Sequence, residues 1–381
     1  MPWENKSVEE QRKAFVEEAK DCKNFSRLCR EYDITRKTGY KWLKRAQLNE
    51  GMADRSHARK LIGNKTDNET EQLIVSMRQE NPNWGGKKIR QVLETQGYDD
   101  LPCVKTCNNI LKRNGCISLE ASLAHTPYKR FEKPNCNDMW QTDFKGEFRM
   151  LDGKYCYPLD ILDDHSRFLI KIKPCESTKN VVISTFESAF REYGLPKVIL
   201  SDNGAQFAGF KNGYTQFEKW LMNLDILPIH GRITHPQTQG KIERFHRTLK
   251  NELLNHKSFA NISEADNCLQ SWRLKYNNVR PHESLDMLTP ADIYTPSERE
   301  YTEKISKYEY SGQYRVIKVN NWGYIRFDKW QVYLSETMIN EYIEIRPNPH
   351  RDSFLVCYRN FKIAEFDADS GERLNRSIRR L

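Results

Sequence analysis

The chain of 381 residues contains no apolar run approaching the ~18 residues needed to cross a bilayer. Its first 20 residues are mostly charged and polar, so no secretory signal is expected. Cysteine occurs ten times but never as a CxxC pair, which speaks against a disulfide framework and for a reducing compartment. Cys103, Cys107 and Cys116 lack a fourth ligand at zinc-like spacing, so no zinc is expected. No Ser-His-Asp or Cys-His order suggests a nucleophile carried by the protein itself. Acid is the scarcer charge: 52 Asp and Glu stand against 61 Lys and Arg, and the net charge of +9 favours polyanionic partners.

What is present fits a globular chain of several domains. The hydrophobic fraction is 38%, with 18 glycines, and the length is too great for one ordinary domain. Residues 8–46 read as helices. VEEQRKAFVEEA sets Val8, Ala14 and Phe15 among charges, and NFSRLCREYDITRKTGYKWLKRAQ reads as two helices around a turn near Asp33. Leu28, Ile34, Tyr40 and Leu43 are expected to bury, with Arg36, Lys37, Lys41, Lys44 and Arg45 outside. That describes a helix-turn-helix, though a basic surface helix in a bundle has the same pattern. After a polar linker, helical stretches ending at Pro or Gly form a second unit offering Lys105, Asn108, Asn109, Lys112 and Arg113.

From about residue 134 the period changes. DMWQTDFKGEF alternates as a strand does, KYCYPLDIL and RFLIKIK flank a DDHS hairpin, and NVVISTFESAFREYG is an amphipathic helix closed by Gly194. VILS and ILPIHG are short strands, FEKWLMNLD is a helix, and GKIERFHRTLKNELL is a longer one. The order implies a mixed sheet with helices on its faces, as in ribonuclease-H-like folds. Six alternating stretches between 311 and 367 suggest a small barrel whose aromatics, Trp322 and Trp330 included, are mostly core. The basic RLNRSIRRL tail is expected to be mobile.

Three acids stand at ends of these elements. Asp143 is in the first strand, Asp202 follows VILS, and Glu243 is in the opening turns of a helix. A carboxylate in a buried strand needs a positive partner. Oxygen ligands without a His or Cys set favour Mg²⁺ or Mn²⁺. On the helix, Ile242, Phe245, Leu249 and Leu253 form one stripe, and Glu243, Arg247 and Lys250 another roughly 115° away. By spacing alone Glu243 reads more simply as a solvated i, i+4 partner of Arg247. Asp160, Asp163 and Asp164 read as strand and turn residues, His246 as a structural or backbone contact, and His235 and Gln237 as possible DNA contacts of a flexible loop.

MWQTDF, LDILDDHSRF, SDNGAQF, HPQTQGKIERFHRTLK and YNNVRPHESLDMLTP, in that order, resemble the integrase core of bacterial insertion-sequence DDE transposases, relatives of retroviral integrases. The resemblance covers about 135–295, WGGKKIRQVLETQG with ILKRNG resembles the family's upstream helix-turn-helix, and having both parts in one chain resembles the single-reading-frame group. It implies a catalytic, metal-binding triad of Asp143, Asp202 and Glu243, holding two Mg²⁺ or Mn²⁺ ions on the order of 4 Å apart. The last two acids have 40 residues between them, more than the family's usual spacing. The excess falls around AGFKNGYTQ, and loop insertions cost little.

The resulting expectation is a multidomain α and β protein. Residues 1–50 form a first helix-turn-helix, 51–66 a linker, 67–118 a second helix-turn-helix and 119–134 a linker. Residues 135–300 form a ribonuclease-H-like core on a mixed five-stranded sheet, 305–370 a small β-barrel, and 371–381 a basic tail. The implied function is a DNA transposase that binds terminal inverted repeats, cleaves their 3′ ends and joins them to target DNA. It would act as a homodimer or higher oligomer on double-stranded DNA, in the bacterial cytoplasm with the nucleoid and without a membrane. The expected DNA contacts are Arg36, Lys37, Lys41, Lys44, Arg45, Lys87, Lys88, Lys105, Lys112, Arg113, Lys241, Arg247 and Lys250. A non-catalytic DNA-binding regulator and a ribonuclease-H-type nuclease without joining activity are the alternatives.

Overall fold

The computed structural model describes residues 7–54, 66–117, 132–209, 213–231 and 240–381. The chain divides into two units, Met1–Lys65 and Thr66–Leu381. In the first, α1 (Val8–Lys20) starts with a capping box between Ser7 and Glu10. Asn24 and Thr35 cap α2 (Phe25–Glu31) and α3 (Arg36–Gln47). Phe15, Val16, Leu28, Cys29 and Trp42 form their common core. Gly39 is buried in α3, and a Cβ there would lie 2.9 Å from the Cys29 sulfur and from the Phe15 and Phe25 rings. The buried stripe of α3 therefore runs through Gly39, Trp42, Leu43 and Ala46, not through Tyr40. Tyr40 was expected inside; it is 52% exposed and packs against Phe25 with the rings tilted and their centroids 4.5 Å apart. Val8 is exposed as well.

The second unit begins with α4 (Asn68–Glu80), α5 (Gly86–Thr95) and α6 (Val104–Arg113), packed around Ile74, Trp84, Ile89 and Ile110. Asn108 is not a free side chain on α6, because its carbonyl accepts the Gly86 N–H at 3.0 Å. Then follow β1 (Trp140–Phe144), a small ribbon of β2 (Phe148–Arg149) and β3 (Tyr155–Cys156), β4 (Leu159–Asp163), β5 (Leu169–Lys173) and α7 (Val182–Tyr193). The core continues with β6 (Val198–Ser201), α8 (Gln216–Asn223), β7 (Leu227–His230), α9 (Gly240–Leu249), α10 (Ile262–Asn278) and α11 (Pro290–Ile293).

The sheet has five strands in the order β5-β4-β1-β6-β7, with β1 antiparallel to β4 and parallel to β6, as the sequence order implied. Both faces are covered, which is why every residue of β4 is buried. Phe186 and Phe190 of α7 and Leu221 of α8 fill one face. Ile242, Phe245 and Leu249 of α9, with Leu269 and Trp272 of α10, fill the other. Gly194 ends α7 at φ 74, where a Cβ would meet the Ser297 carbonyl at 2.6 Å.

The C-terminal strands are β8 (Arg315–Lys318), β9 (Tyr324–Phe327), β10 (Trp330–Tyr333), β11 (Tyr342–Pro347), β12 (Ser353–Tyr358), β13 (Phe361–Asp367), β14 (Arg373–Asn375) and β15 (Arg379–Arg380). The six expected strands are there, but the barrel is not closed. β9 and β10 pair only with each other, and the larger sheet runs β14-β13-β12-β11-β8. The basic tail gives the physical reason, because β14 and β15 both pair with β13 and take up the edge that closure would need. The tail is thus an ordered part of the sheet. Trp330 is half-buried, its indole donating to the Ala368 carbonyl at 2.9 Å, whereas Trp322 is 77% exposed in a turn and is not core. This sheet is packed onto the ribonuclease-H-like core: Tyr214 and Met222 share one hydrophobic cluster with Ile343, Val356 and Phe361. Tyr358 donates to Asn223 at 2.7 Å.

Gly39→Ala should destabilise the first unit by about 1–3 kcal/mol, the usual range for overpacking a filled core. In thermal unfolding of the full chain its transition moves to lower temperature while that of the second unit stays in place.

Candidate active site

Parallel pairing of β1 with β6 brings their carboxyl ends to the same sheet edge. The register Trp140↔Ile199 and Gln141↔Leu200 is an offset of 59, and continued along the strands it sets Asp202 opposite Asp143. On the other side of β1, the register with β4 pairs Asp143 with Asp160. Asp202 follows the last residue of β6, and its Oδ1 accepts the Gly204 N–H at 2.9 Å. Asp160 is fully buried, and one of its carboxylate oxygens has no hydrogen-bond partner.

Three carboxyls so close raise the free energy of ionisation. Burial pushes the Asp143 carboxyl up to about 6; the His246 ring opposes the rise, and the charges of Asp202 and Asp160 add to it. Burial likewise raises the Asp160 carboxyl, against its bond to His246. The Lys145 charge acts on Asp160, and His246 lies against both carboxyls. Its Nε2 lies 2.9 Å from Asp160 Oδ2, and its Nδ1 lies 3.9 Å from Asp143 Oδ2. It is more than a structural contact of its helix, because it ties α9 to two strands at the carboxylates. The sequence held part of a signal for this: His246 is three residues past Glu243, between the apolar and charged stripes, whereas the pairing of Asp160 with Asp143 comes from the β1–β4 register.

Glu243 is in the first turn of α9, exposed, with Arg244, Arg247 and Lys250 also exposed. The structure therefore brings Asp143 and Asp202 together and leaves Glu243 on the solvent side of its helix. Among the described residues no group of three or more His, Cys, Asp or Glu is close enough to hold a metal ion. The donor chemistry at the sheet edge nonetheless suits a hard cation: Asp143 and Asp202 are oxygen donors, and the ionisation of Asp143 is penalised without one. His235 and Gln237 lie outside the described residues, as do Phe210, Lys211 and Asn212 of the expected insertion.

Several expected DNA contacts face elsewhere. Lys241 is half-buried, its ammonium 2.6 Å from the buried Asp164 carboxylate, which also accepts from Gln141 at 2.7 Å; it pins the start of α9. Burial lowers the Lys88 ammonium to about 8, and the nearby Arg280 charge adds to this. Arg45 is 9% exposed, lies 4.9 Å from the Trp42 ring centroid and donates to the Ala53 carbonyl at 3.1 Å. Arg113 is tied to Glu71 and remains partly exposed. Arg36, Lys37, Lys41, Lys44, Lys87, Lys105, Lys112, Arg247 and Lys250 are exposed as anticipated. Asp163 is structural, accepting from Asn137 and from Ser166.

One arrangement runs against the expectation that no nucleophile–base–acid order is present. Ser201 Oγ lies 2.9 Å from His230 Nδ1, and His230 Nε2 lies 2.9 Å from Glu218 Oε1. Ser201 is only 1% exposed, and Glu218 is fully buried. No acyl substrate reaches that hydroxyl, so the group is a hydrogen-bonded chain inside the core, not a hydrolytic triad.

Residues 134–236 and 224–290 match models described as "Integrase core domain", and residues 38–111 match a "Homeodomain-like domain". An insertion element IS476 uncharacterized 39.2 kDa protein of Xanthomonas euvesicatoria is 26% identical over 158 residues, 41% of this chain and 44% of that protein. An insertion element IS407 uncharacterized 31.7 kDa protein of Burkholderia multivorans is 24% identical over 158 residues, 41% of this chain and 55% of its own length. The chain thus spans about half the length of these relatives. The HTLV-2 integrase catalytic core domain, solved in complex with magnesium in a trimeric form, aligns with 42% of this chain and 99% of its own at 19% identity and TM-score 0.34.

Asp143→Asn should raise the melting temperature of the metal-free protein. The folded carboxyl titrates near 6, above an unfolded value of about 3.9, so stability is lost as pH rises between the two and stays lost above. Calorimetry should show the gain in full at pH 7.5 and reduced at pH 5.

Proposed function

With an integrase core at residues 134–290 and a homeodomain-like segment before it, we propose that the protein is a DNA transposase. It recognises the terminal inverted repeats of a mobile element, cleaves at their 3′ ends and joins them to target DNA by phosphoryl transfer. The observation that carries this reading is the pair Asp143 and Asp202 at adjacent parallel strand ends, with more carboxylate than the nearby His246 balances.

Asp143, Asp202 and Glu243 would hold two Mg²⁺ or Mn²⁺ ions. Bound there, the ions supply Lewis-acid stabilisation of the attacking and leaving oxygens of an in-line displacement. The chain's own residues do the rest. Asp143 and Asp202 are oriented by the sheet. Glu243 comes from the turn of α9 before His246, whose bond to Asp160 holds that turn against β4. Arg247 and Lys250, one and two turns further on and exposed, face the phosphate backbone. The exposed cations of α3 and α6 are the end-binding surface, and a synaptic complex of two ends calls for at least two protomers. DNA of a bacterial element as substrate sets the work in the cytoplasm. Among the described residues no helix is long and apolar enough to cross a membrane.

The exposed position of Glu243 is what favours the alternative, a DNA-binding regulator without chemistry. Strand transfer with duplexes carrying the inverted repeats that flank the gene decides between them. Asp202→Asn should abolish joining in Mg²⁺ and leave end binding intact, and wild-type-like joining by that variant would refute the transposase reading. Cleavage without joining in the presence of target DNA would assign a nuclease instead.

Lys44→Ala should weaken end binding and reduce the slope of log K against log salt by about 0.9, since it removes one phosphate contact. Lys241→Ala, which strips the buried Asp164 of its cation, should instead lower the melting temperature and leave that slope unchanged. Fluorescence anisotropy across a salt series separates the two effects.

A further inference from the structure

The hydrogen-bonded chain below Asp202 extends beyond the catalytic core into the C-terminal sheet. Arg376, between β14 and β15, donates from Nη1 to the Gly209 carbonyl at 2.7 Å. Its Nη2 lies 3.1 and 3.4 Å from the two oxygens of Glu218, which also accept the Gly209 N–H at 3.1 Å and the Thr215 N–H at 2.7 Å. From Glu218 the chain passes through His230 to Ser201, and Ser201 Oγ lies 3.1 Å from the Asp202 carbonyl. A second strand of contacts closes the same loop: Gly231 N–H donates to the Ser201 carbonyl at 2.9 Å, and Asn203 donates to the Gly231 carbonyl at 2.7 Å.

One guanidinium thus holds the segment that carries Asp202 at both ends. It binds Gly209 directly at the far end, and it reaches Ser201 at the near end through the buried Glu218 and the partly buried His230. Glu218 is fully buried, so its charge depends on these partners, and removing one leaves the others to reorganise around a desolvated carboxylate. We propose that Arg376 is a positioning residue for the Asp202 carboxylate, so that the C-terminal sheet forms part of the scaffold for cation binding. The inference rests on the reading of Asp202 as a cation ligand.

The test uses the full-length protein and Mn²⁺ alone, with binding followed by electron paramagnetic resonance and folding by thermal unfolding. Groups that orient metal ligands typically contribute about 10- to 100-fold to affinity. Arg376→Ala should lower Mn²⁺ affinity by that factor. Arg376→Lys keeps the charge beside Glu218 but not both bonds, and should fall in between. Arg380→Ala is the control. It breaks an exposed pair with Asp225 on the same tail, at 3.0 Å, without touching the chain to Asp202, and should leave affinity unchanged. Should Arg376→Ala fail to fold, His230→Gln reads the same chain from its middle and should show the same loss. Binding that Asp202→Asn abolishes but folded Arg376→Ala retains overturns the inference alone, as does an equal loss in Arg380→Ala. No Mn²⁺ binding by the unaltered protein overturns the metal reading and the inference with it.

Discussion

Parallel pairing of β1 with β6 is the constraint on which the rest of this molecule depends. It lines up two strand ends and with them Asp143 and Asp202, while the antiparallel neighbour β4 adds Asp160 on the other flank. Burial penalises the ionised carboxyls and pushes Asp143 up, and the charges of Asp202 and Asp160 add to the rise. The surrounding structure answers with the His246 ring and the Lys145 charge, and with helical layers that bury apolar surface on both faces of the sheet. Buried carboxyls of this kind are expected where function draws on stability.

Outside that edge, the buried charges of the second unit join modules that look separate along the chain. Lys241 fastens α9 to Asp164, next to the β4–β5 hairpin. Lys88 lies near Arg280 and Glu252, Asn83 donates to the Asn251 carbonyl at 2.8 Å, and Lys275 lies 5.4 Å from the Trp84 ring centroid, so the second helical bundle abuts the five-stranded core. Arg376 and Tyr358 do the same for the C-terminal sheet. Cations that a composition-based view assigns to DNA are here divided between two tasks, and burial is what divides them. A guanidinium or ammonium facing water is free to meet phosphate, whereas one beside a buried carboxylate is needed where it is.

Much of the site was legible beforehand. The strand around Asp143, the buried VILS before Asp202 and the apolar stripe Ile242, Phe245 and Leu249 all form where the pattern set them, although β1 buries Trp140, Gln141 and Thr142 alike because both faces of the sheet are covered. Tyr40 misled because the close approach at Gly39, a residue with no side chain to signal burial, sets which face of α3 is buried. Trp322 misled because an aromatic in a sheet segment reads as core until its turn is known.

The sequence by itself determined the order of elements, the strand and helix faces and the resemblance that marks Asp143, Asp202 and Glu243. These depend on local period and on short motifs. Tertiary structure alone decided that the last sheet stays open, that the tail is pinned rather than loose, that Lys88, Arg45 and Lys241 turn inward, and that Ser201, His230 and Glu218 meet. The reason is physical. Whether a polar group is buried, and with which partner, depends on strand pairings and helix packings between residues far apart in the chain, and no period or spacing encodes them.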